Sequence, residues 1–185
     1  MKQMKNSIII NLFGGPGSGK SFAARKLTEL FQNKTALTIS HITEYATDLI
    51  KEGKEYILDG TFNNQRLIYA EQHNRVIQNI DKSDVIITDS PDILSAIYCK
   101  ETNQKATDWI NEIIAEFNSH NNFNVYITRD NNYTYSHKVR IHSEEEAEKR
   151  YIYPKDYPND ALKAFHTDYA HEEAYSLFPI MYIND

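Results

Sequence analysis

Ser7-Ile8-Ile9-Ile10-Asn11-Leu12-Phe13-Gly14-Gly15-Pro16-Gly17-Ser18-Gly19-Lys20-Ser21-Phe22 is the stretch from which the rest of the chain can be laid out. The apolar run Ile8–Phe13 stops at Gly14, and Gly14–Ser21 fits the spacing G-x-x-x-x-G-K-[ST] at every fixed position. Glycines without side chains let consecutive backbone N–H groups turn inward around a polyphosphate, and a helix beginning near Gly19 aims its positive end at the same anion. In this reading Gly14, Gly15, Pro16, Gly17, Ser18, Gly19, Lys20, Ser21 and Phe22 form the nucleotide cradle. Lys20 reaches the β- and γ-phosphates, and the Ser21 hydroxyl ligates Mg²⁺. The competing reading is a glycine-rich turn with an incidental lysine. Against it stand the β-rich run before the loop and the amphipathic pattern Phe22–Phe31 after it.

With 185 residues, 41% of them hydrophobic, the chain can fill the core of one domain, and a single domain over 1–185 is expected. The formal net charge of −6 argues against a protein that holds duplex nucleic acid by coating its phosphates, although a strand end in a local basic pocket stays open. Cys99 stands alone, so neither an internal disulfide nor a multi-cysteine metal site is available, and a reducing cytoplasm is the natural compartment. The apolar run behind the basic N-terminus is short and enters the glycine loop directly. It reads as a first strand rather than a signal peptide, and no segment is long and apolar enough to span a bilayer.

Strand and helix patterns alternate along the chain. A helix is expected over Lys20–Asn33, a strand over Thr35–Ser40, and an amphipathic helix over Ile42–Lys51 with Glu44 in its first turn. A long helix about Asn64–Asp81 precedes the run Asp84–Asp89, which has the composition of a central strand buried on both faces. Helices about Ile93–Tyr98 and Thr107–Ser119, a strand Phe123–Thr128, and a last strand Pro179–Ile183 complete a five-stranded parallel sheet with helices on both faces. Asn131–His142 has no clean periodicity and reads as a loop. Ser143 and Glu146 fit a capping box, and a further helix is expected over Asn159–Ser176.

In such a sheet the ligand sits at the carboxyl ends of the strands. Asp89, ending its apolar strand, is placed to hold Mg²⁺ directly or through water; a carboxylate capping the next helix is the alternative. Glu44 lies just beyond the second strand, where a nucleotide kinase usually positions the acceptor or its catalytic carboxylate, though an exposed helix charge reads the same. Arg129, Lys138, Arg140 and Arg150 bracket the irregular segment, and as a lid over about 130–150 they would close over the transferring group and exclude water. Arg129 and Arg140 lead this group. Tyr133 and Tyr135 could stack on a base, and Arg66, Gln72 and Arg75 could face an acceptor pocket. His166 and His171, five apart on one expected helix, do not share a face well enough to hold a metal.

GGPGSGKS at Gly14–Ser21, TEYATDL at Thr43–Leu49, AEQHNR at Ala70–Arg75, TDSPDILSAIYC at Thr88–Cys99 and VRIHSEEEAEK at Val139–Lys149 together resemble a known group. It comprises the small phosphate-loop ATP-binding proteins common in phage genomes, similar in turn to the AAA-type kinase family that includes the ribosylnicotinamide kinase domain. The resemblance spans nearly the whole chain. It implies a P-loop NTPase fold, a kinase-like core using ATP and Mg²⁺, a lid near Arg140, and, for a phage-encoded protein, the host cytoplasm. The expected activity is transfer of the γ-phosphoryl of ATP to a small acceptor, a nucleoside or nucleotide first. A regulatory ATP-hydrolysing protein and a kinase acting on a nucleic acid end or modified base are the alternatives. No guanine-reading N-K-x-D element is present, which leaves ATP as the default nucleotide, and the oligomeric state cannot be read.

Overall fold

The computed structural model describes residues 7–14, 18–127 and 180–183. Gly15, Pro16 and Gly17, the segment 128–179 with Arg129, Arg140 and the expected lid, its capping box and its last helix, and His166 and His171 lie outside the described residues.

Strand β1, Ile8–Phe13, enters the glycine loop, and helix α1, Lys20–Lys34, leaves it. After α1 the structure departs from the sequence reading. Thr35–Ser40 alternates like a strand, but β2 runs over Ile39–Ile42. Thr35 instead ends α1, its N–H and hydroxyl both donating to the Phe31 carbonyl (3.0 and 2.7 Å). Thr38 is held by the Asp84 carboxylate through its N–H and its hydroxyl (2.7 and 2.6 Å). The polar residues that produced the alternation are engaged in capping and tethering, so pairing starts only at Ile39, opposite Val85.

Helix α2 is correspondingly shorter, Tyr45–Lys51. Glu44 does not lie in its first turn; it is the extended residue before it (φ −67°, ψ 122°). A 3-10 turn, Glu55–Asp59, leads to α3, Phe62–Ile77. The expected extension of α3 to Asp81 fails because the chain unwinds after Ile77, and Asp81 adopts a left-handed φ of 68° that helices exclude but aspartate tolerates. Then come β3, Val85–Thr88, α4, Leu94–Tyr98, α5, Gln104–Ser119, and β4, Asn122–Ile127. Asn103 caps α5, its side-chain oxygen accepting from the Ala106 N–H (3.0 Å).

Strands β1 to β4 pair in parallel in the order β2-β3-β1-β4, and Ile180–Ile183, β5, adds beside β4. Alternation along β1 sorts the core into two layers. Ile10 and Leu12 meet Val85, Ile87, Val125 and Ile127 under α1, which contributes Ala24, Leu27 and Phe31. Ile9 and Phe13 face the other way, towards Val76 of α3 and Phe117 of α5. Every residue of β3 is buried, as its unbroken apolar run requires of a strand between two others. On the α3/α5 face Asn11 donates to the side-chain oxygens of Asn122 and Asn124 (2.9 and 3.0 Å), so this buried polar group is satisfied across the β1/β4 pair.

Candidate active site

The register places one row across the sheet: Ile42, Thr88, Asn11 and Asn124 are neighbours on β2, β3, β1 and β4. Beyond this row the strands give out at one edge. Glu44 lies two residues past it, Asp89 one, and Gly14 three. The strand order sets Asp89 between Glu44 and the glycine loop, with about 5 Å per inter-strand step. The sheet therefore brings Gly14, Lys20, Asp89 and Glu44 to one edge.

Gly14 has φ 145°, and a Cβ there would lie 2.6 Å from the Ile127 carbonyl oxygen and 2.7 Å from Ser18 Oγ. Gly14 is thus wedged against the end of β4. Gly19, with φ 90° and ψ 7°, is left-handed and directly precedes α1, and a Cβ there would meet nothing within 4 Å. The N-cap, Gly19, has no side chain to cap the helix, whose first N–H groups carry the positive end of its dipole. Lys20 Nζ donates to the Gly14 carbonyl (2.7 Å), folding the amine back across the loop. Ser21 and Phe22 are exposed on that first turn, and Ser18 is buried, its hydroxyl without a hydrogen-bond partner among the described residues.

Asp89 is 5% exposed, and its Oδ1 is buried without a hydrogen-bond partner among the described residues. A buried acceptor left unmade is costly, so this oxygen could take a donor or a cation. Asp89 Oδ1 and the Ser21 hydroxyl are hard oxygen donors of the kind Mg²⁺ takes. Among the described residues no group of three His, Cys, Asp or Glu side chains is gathered for a metal. Glu44 accepts from the Thr47 hydroxyl (2.8 Å), which fixes its carboxylate at the mouth of β2.

Gln72 and Arg75, read from the sequence as facing an acceptor, are engaged in holding α3 against the segment that follows β2. The buried Gln72 accepts from the Tyr45 N–H (2.9 Å) and donates to the Thr43 carbonyl (3.3 Å), flanking Glu44 on both sides. Arg75 pairs with Asp48 and Glu71 (both 2.9 Å) and lies over the Tyr45 ring. Its guanidinium, as the largest cause, holds the Asp48 carboxyl below its ordinary range. Arg66 stacks on Phe62 of its own helix. Gln72 and Arg75 therefore join α3 to α2 and the residues before it. The sequence gives no hint of this, because the contacts run between helices. It also leaves unnoticed His73 and Asp92, whose side chains meet at 2.7 Å beside this edge.

A strand, a glycine loop closing on a helix N-terminus with its lysine, and a buried acid ending the neighbouring strand define a phosphate-loop enzyme of the kinase or nucleoside-triphosphatase type. The chain belongs to the AAA domain family, whose model matches residues 9–176. Among solved structures it is similar to APE1195 (18% identity, 94% of this chain and 78% of that one, TM-score 0.37). It is also similar to a Cys556Ala mutant of the APS kinase CysC of Mycobacterium tuberculosis (11% identity, 87% and 99%, TM-score 0.41). Neither likeness bears on substrate. No curated protein matches the chain. Among the described residues no helix is long and apolar enough to cross a membrane.

Proposed function

We propose that the protein transfers the γ-phosphoryl group of ATP to a small hydroxyl or phosphate acceptor, a nucleoside or nucleotide. The observation that carries this reading is the buried Asp89 Oδ1, without a hydrogen-bond partner among the described residues, at the end of the strand next to β1 and its glycine loop. In this reading the nucleotide phosphates lie on the N–H groups of Gly14–Ser21 and the first turn of α1. Lys20 exchanges the Gly14 carbonyl for β- and γ-phosphate oxygens, where its charge meets the charge that develops in the transition state. Ser21 and Asp89 hold Mg²⁺, which supplies neutralisation of the phosphate charge. Glu44 sits one strand beyond Asp89, on the side away from the loop, as the carboxylate that takes the proton of an acceptor hydroxyl. The acceptor oxygen then bonds to the γ-phosphorus as the bond to the departing ADP breaks. Arg129 and Arg140 complete the site from the proposed lid and keep water from the phosphoryl group.

The test is Mg²⁺-dependent consumption of ATP by the purified protein, with and without nucleosides, nucleotides, ribosylnicotinamide and short oligonucleotides. Stimulation by one small acceptor is expected. Lys20→Ala should keep the fold and lose turnover on the order of 100- to 1000-fold, the cost of removing one preorganised charge from a developing one. Substantial transfer by Lys20→Ala would sink the proposal. Slow consumption indifferent to every acceptor would replace it with the regulatory ATP-hydrolysing protein.

A further inference from the structure

His73, near the C-terminal end of α3, and Asp92, just past β3, form a pair the reaction site does not yet use. Nδ1 of His73 lies 2.7 Å from Asp92 Oδ2, and the two side chains are 20% and 10% exposed. The imidazole is held on its face as well. Tyr69, one turn earlier, stacks on it at 5.1 Å between centroids and 14° between planes, and is itself braced edge-on by Trp109 of α5. On the α5 side, the His120 ring stands 6.2 Å away, and Glu116 lies 3.3 Å from His120 Nε2 without hydrogen-bond geometry. Asp92, through its hydrogen bond first, raises the His73 pKa against the opposing effect of burial, and Glu116 adds to the rise. Burial first, then the same two carboxylates, pushes the Tyr69 phenol upward.

Asp92 closes a short turn. Asp89, Ser90, Pro91 and Asp92 are all buried, and the Ser90 N–H donates to the Thr88 hydroxyl (3.2 Å). At one end of this turn is the Asp89 oxygen that nothing among the described residues holds; at the other is the carboxylate that His73 grips.

We infer that His73 is a positioning residue of the reaction site: by holding Asp92 it fixes the Asp89–Asp92 turn, and with it the direction in which the Asp89 carboxylate meets Mg²⁺. The inference rests on the proposed assignment of Asp89 to Mg²⁺. Its chemistry is that of an outer-shell partner, which orients a ligand without touching the metal. Without the imidazole, Asp92 is a buried carboxylate lacking its partner, and the turn relieves that cost by moving towards water and carrying Asp89 with it.

The experiment is isothermal titration of the full chain with the non-transferable analogue β,γ-imido-ATP over a series of Mg²⁺ concentrations. It gives the Mg²⁺ concentration for half-maximal tightening and the affinity without metal. His73→Ala is expected to raise the Mg²⁺ midpoint about tenfold, as loss of an outer-shell partner does, and to leave metal-free affinity unchanged. His73→Asn, whose amide donates from near the place of Nδ1, should bring the midpoint back towards wild type. Val76→Ala, on the same helix and in the core, lowers the melting temperature without touching Asp92 and should leave the midpoint alone. If His73→Ala does not fold, His73→Gln, with its amide displaced towards the Nε2 position, carries the same expectation. A midpoint unmoved in these variants, or moved equally by Val76→Ala, overturns the positioning role and leaves the Asp89 assignment standing. Wild-type binding indifferent to Mg²⁺ overturns both.

Discussion

Gly14 and Gly19 both hold backbone angles that side chains resist, but their surroundings separate them. At Gly14 the new methyl meets the Ile127 carbonyl oxygen at 2.6 Å, an atom fixed by the end of β4, so the loop itself has to move. At Gly19 a methyl meets nothing within 4 Å, which leaves only the backbone strain of φ 90°, about 1–3 kcal/mol. Gly14→Ala should therefore lower the melting temperature more than Gly19→Ala and lose nucleotide binding with it, whereas Gly19→Ala should lower stability by the strain alone. Equal losses in thermal melts of the two variants would show that the wedge against β4 is not tight. Gly14 and Asp89 are legible in the sequence, because each ends an apolar run and the end of a run is visible in one dimension. His73 and Asp92 are not. They are 19 residues apart on different elements and meet only once α3 has docked.

The unit β2–α2–α3 shows the same limit for whole elements. Hydrophobic periodicity finds α1 and α5 to within a few residues, since each lays a continuous apolar stripe on the sheet or on its neighbours. It misplaces β2, because Thr35 and Thr38 take partners that alternation cannot reveal, Phe31 behind and Asp84 far ahead. Helix α2 has only seven residues and leans on α3 through Gln72, Arg75 and Asp48. Asp48 is depressed below its ordinary 3.8 mainly by the hydrogen bond from Arg75. A carboxylate with a lowered folded pKa adds stability above its unfolded pKa and loses it as pH falls through the folded one. The pair is a third exposed on the Asp48 side, so Asp48→Asn should cost under about 1 kcal/mol at neutral pH. In urea unfolding the gap to wild type should stay constant from pH 7 to near 3.8 and close below that. A gap that closes already at pH 5 would assign it to another group.

At the scale of the molecule, charge decides which acceptors can reach the sheet edge. The formal net charge is −6, and several described cations are tied to acids of the same chain: Lys26 to Glu29, Lys51 and Arg75 to Asp48, Lys54 to Glu52. A strand of nucleic acid brings many phosphates, and each one neutralised by a protein cation releases counterions. Binding of single strands then falls with salt at a log–log slope of about −0.7 per phosphate contacted. A mononucleotide or nucleoside brings few phosphates or none, and the glycine loop with Lys20 is occupied by those of ATP in the proposed reaction. Transfer to a small acceptor should therefore change little between low and physiological salt, and short oligonucleotides should neither stimulate ATP consumption nor compete with that acceptor. The salt dependence of turnover and of oligonucleotide binding, measured on the same preparation, checks both statements. A steep slope together with oligonucleotide-stimulated turnover would make the acceptor a strand end. The basic residues 129, 138, 140 and 150 would then be the first to neutralise, because a local cationic patch is what an acidic protein needs to hold a polyanion.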